Sequence, residues 1–158
     1  MNKSASILIL FLTTLGLSAQ NVGVGQWKDY LPYNNSISVV KVGDRVYTAT
    51  ENSLFYLDVN DRTINRVNKI NGLSDAGISC MEKSNSNDLI VLAYKSAIID
   101  IINGDSIYSL TDIERENIIG EKNINNITFY EEDAYLSCSF GIIELDPIKK
   151  EILNTFYL

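Results

Sequence analysis

Short apolar runs alternate with polar turn residues along the chain, and one pair of runs occurs three times. Asp44, Asp88 and Asp133 each precede a run rich in valine, leucine, alanine and tyrosine, and a second apolar run follows each of them. Asp88 lies 44 residues after Asp44, and Asp133 lies 45 residues after Asp88. A repeat of roughly 40 to 50 residues is typical of the four-stranded blades of a β-propeller.

The first copy contains the parts of a complete blade. Four β-type runs are separated by turns of glycine, asparagine, aspartate and serine, which is the pattern of consecutive antiparallel strands. These runs are 37–42, 45–50, 54–59 and 63–67. Helical spacing is nearly absent, and a short helix is predicted only within 111–117, where Glu114 and Glu116 follow a capping residue.

The sequence therefore predicts an all-β protein, a β-propeller with about three four-stranded antiparallel blades present. The predicted blades are about 37–70, 77–110 and 124–158. Propellers close with about 4 to 8 blades, so three blades form an incomplete ring. We expect the chain to be an N-terminal fragment of the first propeller of a longer protein, with one apolar blade face exposed.

The N-terminus has the features of an export signal. Lys3 provides a positive start, 6–17 is uncharged and mostly apolar, and Ala19 offers a small residue at a cleavage point. The apolar run is too short for the roughly 20 residues of a membrane-spanning helix. We predict a signal peptide at 1–19 and an exported, soluble mature chain, in which 20–36 form an N-terminal segment that packs on the propeller.

Charge and cysteine content narrow the function classes. The net charge is −7 and the isoelectric point is about 4.5, with lysine and arginine scattered, so the chain lacks the basic stripe that neutralises phosphates and nucleic acid binding is not expected. Cys80 and Cys138 lie in predicted strands of different copies. A disulfide between them requires Cα atoms within about 7 Å, and two small buried thiols are the favoured interpretation.

The residues that support catalysis are few. The chain has no histidine, which removes the usual base of serine and cysteine triads and the commonest metal ligand. Carboxylates cluster at 131–133 and at 114–116, and an acid and base pair for glycoside cleavage could be drawn from them. We favour the interpretation that these carboxylates lie in exposed, solvated turns rather than in a catalytic pair, because like charges repel each other. We predict a non-enzymatic protein without cofactor or metal.

Aromatic residues just before the first blade are the candidate contact residues. Trp27, Tyr30 and Tyr33 lie within 26–33. Aromatic planes stack on sugars and on partner surfaces. They also bury large areas when a segment packs against its own propeller, and packing is the favoured interpretation.

Several stretches of the mature chain together resemble one family. They are 26–33 (QWKDYLPY), 46–55 (VYTATENSLF), 71–75 (NGLSD), 99–100 (ID) and, most specifically, 125–127 (NNI) with 134–142 (AYLSCSFGI). Taken in order, these stretches resemble the N-terminal part of the PorZ family of proteins, which belongs to the type IX secretion machinery of Bacteroidota. The NGLS link alone is also found in the periplasmic propellers of two-component sensors, and Ile98 stands where the PorZ family more often has a polar residue.

This resemblance implies an accessory role in secretion. PorZ-like proteins combine two β-propellers with a C-terminal β-sandwich and lie at the outer-membrane surface. They act with the sortase PorU and with PorV and PorQ, in a complex that cleaves cargo and joins it to anionic lipopolysaccharide. The resemblance implies these three proteins and this lipopolysaccharide as partners of the full-length protein. It carries over no binding residue, because lipopolysaccharide recognition is associated with the C-terminal region.

The sequence is also compatible with two other classes of propeller protein. A sensor propeller of a hybrid two-component regulator would share the signal peptide and the Gly-Leu-Ser link. A polysaccharide-binding propeller of a lyase or glycosidase would need a funnel of acids and aromatic residues from further blades.

We predict that a signal peptidase removes the segment ending near Ala19, because the apolar run 6–17 is too short to anchor the chain. Mass spectrometry of the protein from its native host should find a mature N-terminus near Gln20. An intact Met1 terminus in a membrane fraction would contradict this expectation.

Overall fold

The computed structural model describes residues 31–158, which form three four-stranded antiparallel sheets. In the first sheet the strands are β1 (Ser36–Val42), β2 (Arg45–Thr50), β3 (Leu54–Asp58) and β4 (Ile64–Val67). In the second they are β5 (Ile78–Lys83), β6 (Leu89–Tyr94), β7 (Ile99–Asn103) and β8 (Ser106–Leu110). In the third they are β9 (Ile124–Tyr130), β10 (Asp133–Cys138), β11 (Gly141–Asp146) and β12 (Glu151–Tyr157).

Within each sheet the order of strands in space follows their order in the chain. The first strand of each sheet lies toward a common axis, since β5 contacts both β1 and β9. Two hydrogen bonds join the first two sheets there: Ser38 Oγ donates to the carbonyl of Met81 at 2.9 Å, and the Ile78 N–H donates to the carbonyl of Glu51 at 2.7 Å. The sheets are blades of an open propeller, which confirms the predicted all-β fold.

The second strand of each sheet repeats with a constant spacing. The strands β2, β6 and β10 begin at residues 45, 89 and 133 and end at 50, 94 and 138, so each is shifted by 44 residues from the one before. Asp44 and Asp88 both stand directly before this strand, whereas Asp133 is its first residue. The equivalence of Asp133 is therefore wrong by one position, which Glu132 occupies.

Because they stand at turns, the repeated aspartates are predicted to accept hydrogen bonds from the backbone N–H groups two residues further on. Their side chains do not make these bonds. Asp44 Oδ2 instead accepts from Asn60 Nδ2 at 3.0 Å. Val46, two residues beyond Asp44, lies in β2, which pairs with β1 on one side and with β3 on the other. The N–H groups of β2 are therefore already occupied by hydrogen bonds of the sheet. Backbone bonds of the predicted type are made at later turns, from Asn60 to Asp58 and from Ile148 to Asp146, both at 2.9 Å.

Two apolar clusters fill the spaces between neighbouring sheets. Tyr47, Ala49 and Leu54 of the first sheet pack against the even-numbered residues of β6, which are Ile90, Leu92 and Tyr94. The odd-numbered residues of β6, which are Leu89, Val91 and Ala93, pack against the third sheet. All six residues of β6 are buried. Strand β6 thus reads as a continuous apolar run because neighbouring sheets cover both of its faces.

The connections between sheets also follow the sequence pattern in part. The helix predicted within 111–117 is present as α1, a single turn at Asp112–Arg115, and it buries Ile113 against the third sheet. Thr111 does not cap it through its side chain. No helix among residues 31–158 is long and apolar enough to cross a membrane.

Gly141 stands where two strands approach most closely. Its φ is +148°, and a Cβ built there would lie 1.9 Å from the carbonyl oxygen of Phe156 on β12. The neighbouring atoms belong to the backbone, so they cannot move aside without disturbing the pairing of β11 with β12. Only glycine fits this position.

We predict that Gly141→Ala lowers the free energy of unfolding by at least about 3 kcal/mol, because it adds a backbone clash to an unfavourable φ. Gly104→Ala is the matched control: its φ is also positive, at +58°, but a Cβ there meets no atom within 4 Å. The control should lose only about 1 to 2 kcal/mol. Equal midpoints of the two variants in urea denaturation would contradict the assigned close approach.

Candidate functional site

Of the three aromatic candidates, only Tyr33 lies within the described residues; Trp27 and Tyr30 lie outside them. The Tyr33 ring packs edge-on against Phe55 of β3 with the ring centroids 6.1 Å apart. The guanidinium of Arg66 on β4 lies 4.7 Å from the centroid of the same ring. Phe55 and Arg66 are register partners on the outer face of the first sheet, so Tyr33 packs on that face. Contact of Trp27, Tyr30 and Tyr33 with a partner or a glycan stays a prediction.

A depression of about 460 Å³ lies where the first strands of the three sheets begin. Its lining is mixed, with Ser79, Asn123 and Asn125 beside apolar isoleucines. An ion pair between Lys95 and Glu51 crosses its wall and joins the second sheet to the first. The hydrogen bond from Lys95 lowers the pKa of Glu51. The polar side chains that line the depression give it a surface suited to hydrogen bonding.

A buried carboxylate lies between the second sheet and the link that precedes it. Asp100 of β7 is fully buried, and its Oδ2 accepts from Tyr94 Oη at 2.6 Å and from the Ser74 N–H at 3.0 Å. Burial raises the pKa of Tyr94, and the neighbouring Asp100 raises it further. Tyr94 is therefore a neutral hydrogen-bond donor at all physiological pH values. The cluster fixes the 71–75 link against the second sheet.

Asparagine side chains continue this arrangement along the link. Asn68 Oδ1 accepts from the Ile70 N–H at 2.8 Å, and Asn71 Nδ2 donates to the carbonyl of Arg66 at 2.9 Å. Leu73 is buried among the residues between the first two sheets. The Asn-Gly-Leu-Ser motif thus has a structural function, since it carries the chain from one blade to the next.

The two cysteines are free thiols on facing sheets. Cys138 is buried, and burial raises its pKa to about 12, with a contribution from nearby Cys80. Burial also raises the pKa of Cys80. Thiolates rather than thiols are nucleophilic, so both side chains are weak nucleophiles at neutral pH.

The clustered carboxylates lie at exposed positions in two separate parts of the fold. Glu131 and Glu132 are exposed at the tip of the hairpin between β9 and β10, and Glu114 and Glu116 are exposed around α1. Across residues 31–158, groups of three or more histidine, cysteine, aspartate or glutamate side chains arranged to hold a metal ion are absent.

The outer face of the third sheet combines polar and apolar groups. Glu144 accepts from Tyr135 Oη and from Asn154 Nδ2, both at 2.6 Å. These bonds lower the pKa of Glu144, and the bond to Glu144 raises the pKa of Tyr135 to about 12. Ile142 and Phe156 lie beside this network as register partners and remain exposed.

Comparison with known families assigns the chain. A family profile described as the N-terminal β-propeller domain of PorZ, of type IX secretion (TSS9), matches residues 46–158. The chain belongs to this family. The match begins in β2 and extends through the third sheet, so it includes most of the first sheet and all of the other two. None of the curated proteins compared matches the chain.

Solved structures share the fold. PorZ of Porphyromonas gingivalis, described as an essential surface component of the type IX secretion system, superposes with a TM-score of 0.69 at 22% identity over 75% of this chain. The extracellular domain of a hybrid two-component system of B. thetaiotaomicron superposes with a TM-score of 0.64 at 11% identity over 84% of this chain. The matched parts are 16% and 18% of those chains, so this chain spans a small part of their length.

Sequence reasoning missed the hydrogen-bonded pair of Tyr94 and Asp100. The available signal was an aspartate inside the apolar run 98–102, where an unpaired charge would be costly. Its partner Ser74 is 26 residues away in the chain, so the contact depends on how the link folds back.

We predict that Tyr94→Phe lowers the free energy of unfolding by about 1 to 3 kcal/mol, because it removes one of the two donors to a buried carboxylate. Tyr108→Phe is the matched control, since Tyr108 is 45% exposed, and it should change stability by less than about 0.5 kcal/mol. Urea denaturation of both variants measures the difference. An equal stability of the two variants would show that the bond to Asp100 does not stabilise the link.

Proposed function

We propose that this chain forms part of an exported, non-enzymatic accessory component of the type IX secretion system. The observation that carries the proposal is the family match over residues 46–158. The solved relative from P. gingivalis is described as a surface component of that system, which supports a location at the cell envelope for this chain as well.

The finer role that we propose is assistance to the sortase complex. In this proposal the full-length protein acts with PorU, PorV and PorQ at the outer-membrane surface. It helps the sortase to process cargo and to attach cargo to anionic lipopolysaccharide. The propeller supplies a rigid scaffold for these contacts rather than a reaction centre.

The chemistry of the described residues supports a binding role. Both thiols have raised pKa values, and the carboxylates of 131–132 are exposed at a hairpin tip. Two features that face outward offer contact surfaces: the depression at the start of the inner strands and the outer face of the third sheet. Protein partners bind such surfaces through apolar side chains surrounded by polar groups.

Deletion of the complete gene in the native host tests the proposal. We expect type IX cargo to remain unprocessed and unanchored, because the sortase complex would lack its accessory component. Cargo size on gels and cargo attachment to the cell surface measure this, and re-expression of the complete gene is the control.

A chain limited to residues 1–158 should fail to rescue the deletion, because three blades do not close a ring and the matched part is only 16% of the solved PorZ chain. Normal cargo anchoring in the deletion strain would refute the secretion role and favour the sensor class. Full rescue by the short chain would place the function in these three sheets.

A further inference from the structure

Large side chains of the first sheet join it to the β7–β8 hairpin of the second. Arg45 Nη1 lies 2.6 Å from Asp105 Oδ1 at the tip of that hairpin. The guanidinium of Arg45 also lies over the Tyr56 ring, 4.5 Å from its centroid. The Tyr56 ring packs in turn against the Tyr47 ring, with the centroids 5.2 Å apart. This part of the interface between the first two sheets is therefore filled by the chain's own side chains.

The corresponding positions of the second sheet carry smaller side chains. Counterparts are related by the 44-residue shift from β2 to β6 and by the cross-strand pairing with the next strand. The replacements are Leu89 for Arg45, Val91 for Tyr47 and Ile101 for Tyr56. A groove of about 530 Å³ lies at this place between the second and third sheets, with Leu89 and Ile101 in its lining. The exchange of a cation and two aromatic rings for aliphatic side chains thus accounts for the opening.

The walls of the groove come from both sheets. Tyr108 of β8 lines it from the second sheet, and Pro147 and Ile148 of the β11–β12 hairpin line it from the third. Tyr108 is 45% exposed and Ile148 is 49% exposed, so apolar surface faces water here. Lys150 of the same hairpin lies over the Tyr108 ring, with Nζ 4.6 Å from the centroid.

The hairpin that forms the wall of the third sheet is held in place by Asp146. Asp146 Oδ1 accepts from the N–H groups of Ile148 and Lys149, both at 2.9 Å, and the Lys150 N–H donates to the Asp146 carbonyl at 2.8 Å. Lys149 Nζ lies 2.9 Å from Asp146 Oδ2. A wall fixed in this way is formed before a ligand arrives, which lowers the entropic cost of binding.

The charge in the groove has no counterpart within the fold. Among the described residues that line the groove, Lys150 is the one that carries a charge. Across residues 31–158 the ion pairs of this hairpin are made by Lys149, and Lys150 makes none. Arg45, the cation at the corresponding place between the first two sheets, lies over a tyrosine ring as Lys150 does and is paired with Asp105. A carboxylate from outside the fold would complete the same arrangement at Lys150.

We propose that this groove binds an extended peptide segment of a partner protein that carries a large apolar side chain and a nearby carboxylate. The apolar side chain packs over Leu89 and Ile101, and the carboxylate pairs with Lys150. Asn103 and Ser106, which also line the groove, offer polar side chains to the peptide backbone. Apolar burial supplies most of the affinity, and the charge selects among peptides. The inference goes beyond the proposed role in secretion and depends only on the second and third sheets.

The test selects binders from a random heptapeptide library on the full-length protein purified from its native host. We expect the enriched peptides to share a large apolar residue with an aspartate or glutamate close to it. Lys150→Gln should raise the Kd of an enriched peptide about threefold to fivefold, because an ion pair is lost. Arg115→Gln is the matched control: Arg115 is exposed in α1, beyond the end of β8 opposite to the groove, and its loss should leave the Kd unchanged.

A second pair of variants tests the apolar wall. Ile148→Ser should raise the Kd at least about fivefold, because apolar surface buried by the peptide is lost. Ile119→Ser is its control, since Ile119 is 99% exposed in the link between the second and third sheets. Circular dichroism of each variant should match that of the native protein.

Replacing the acidic residue of the peptide by its amide distinguishes a direct ion pair from a general effect of charge. The amide peptide should bind the native protein as weakly as the acidic peptide binds Lys150→Gln, and it should bind both proteins equally. Failure to enrich any peptide would overturn the proposal. Enriched peptides without an acidic residue, or with the same Kd for the native protein and both groove variants, would overturn it as well.

Discussion

Face-to-face packing of neighbouring sheets is the interaction on which the rest of this structure depends. Strand β6 shows it most clearly, because its even-numbered residues are buried against the first sheet and its odd-numbered residues against the third. Burying one leucine or isoleucine side chain contributes about 1.5 to 3 kcal/mol, and β6 buries three of them, Leu89, Ile90 and Leu92. Neither neighbour could be removed without exposing one side of the central sheet, and the fold is therefore cooperative across sheets.

This packing also explains why one buried carboxylate is retained in an apolar strand. Asp100 receives hydrogen bonds from Tyr94 of its own sheet and from Ser74 of the link between sheets. Apolar contacts alone have no direction, so they tolerate small shifts of one sheet over another. Donors at fixed positions around a buried acceptor remove that freedom. Asp100 thus sets where the link crosses, at the cost of placing a carboxylate in the core.

The sequence allowed the strands to be predicted better than the turns, for a physical reason. Strand residues must match their partners across both interfaces, which keeps β2, β6 and β10 at a constant shift. A hairpin tip faces water and is free to vary in length and residue type. The tip before β10 carries Glu131 and Glu132 in its two positions, whereas the tip before β2 carries Gly43 and Asp44. Asp133 therefore stands one residue later in its copy than Asp44 and Asp88 stand in theirs. The bond from Tyr94 to Asp100 lies within one hairpin, whereas the bond from Ser74 forms only when the link folds back onto the second sheet, and no local pattern specifies that contact.

The family match, rather than the backbone fold, is what indicates a role for this chain. A secretion component and a sensor domain superpose on this chain with TM-scores of 0.69 and 0.64, so backbone geometry does not separate the two roles. The family profile does separate them, because it reads the side chains of residues 46–158 and matches PorZ. Many of those side chains serve packing within and between sheets, as Leu73 and Asp100 do. Much of the matched sequence therefore positions the blades against one another.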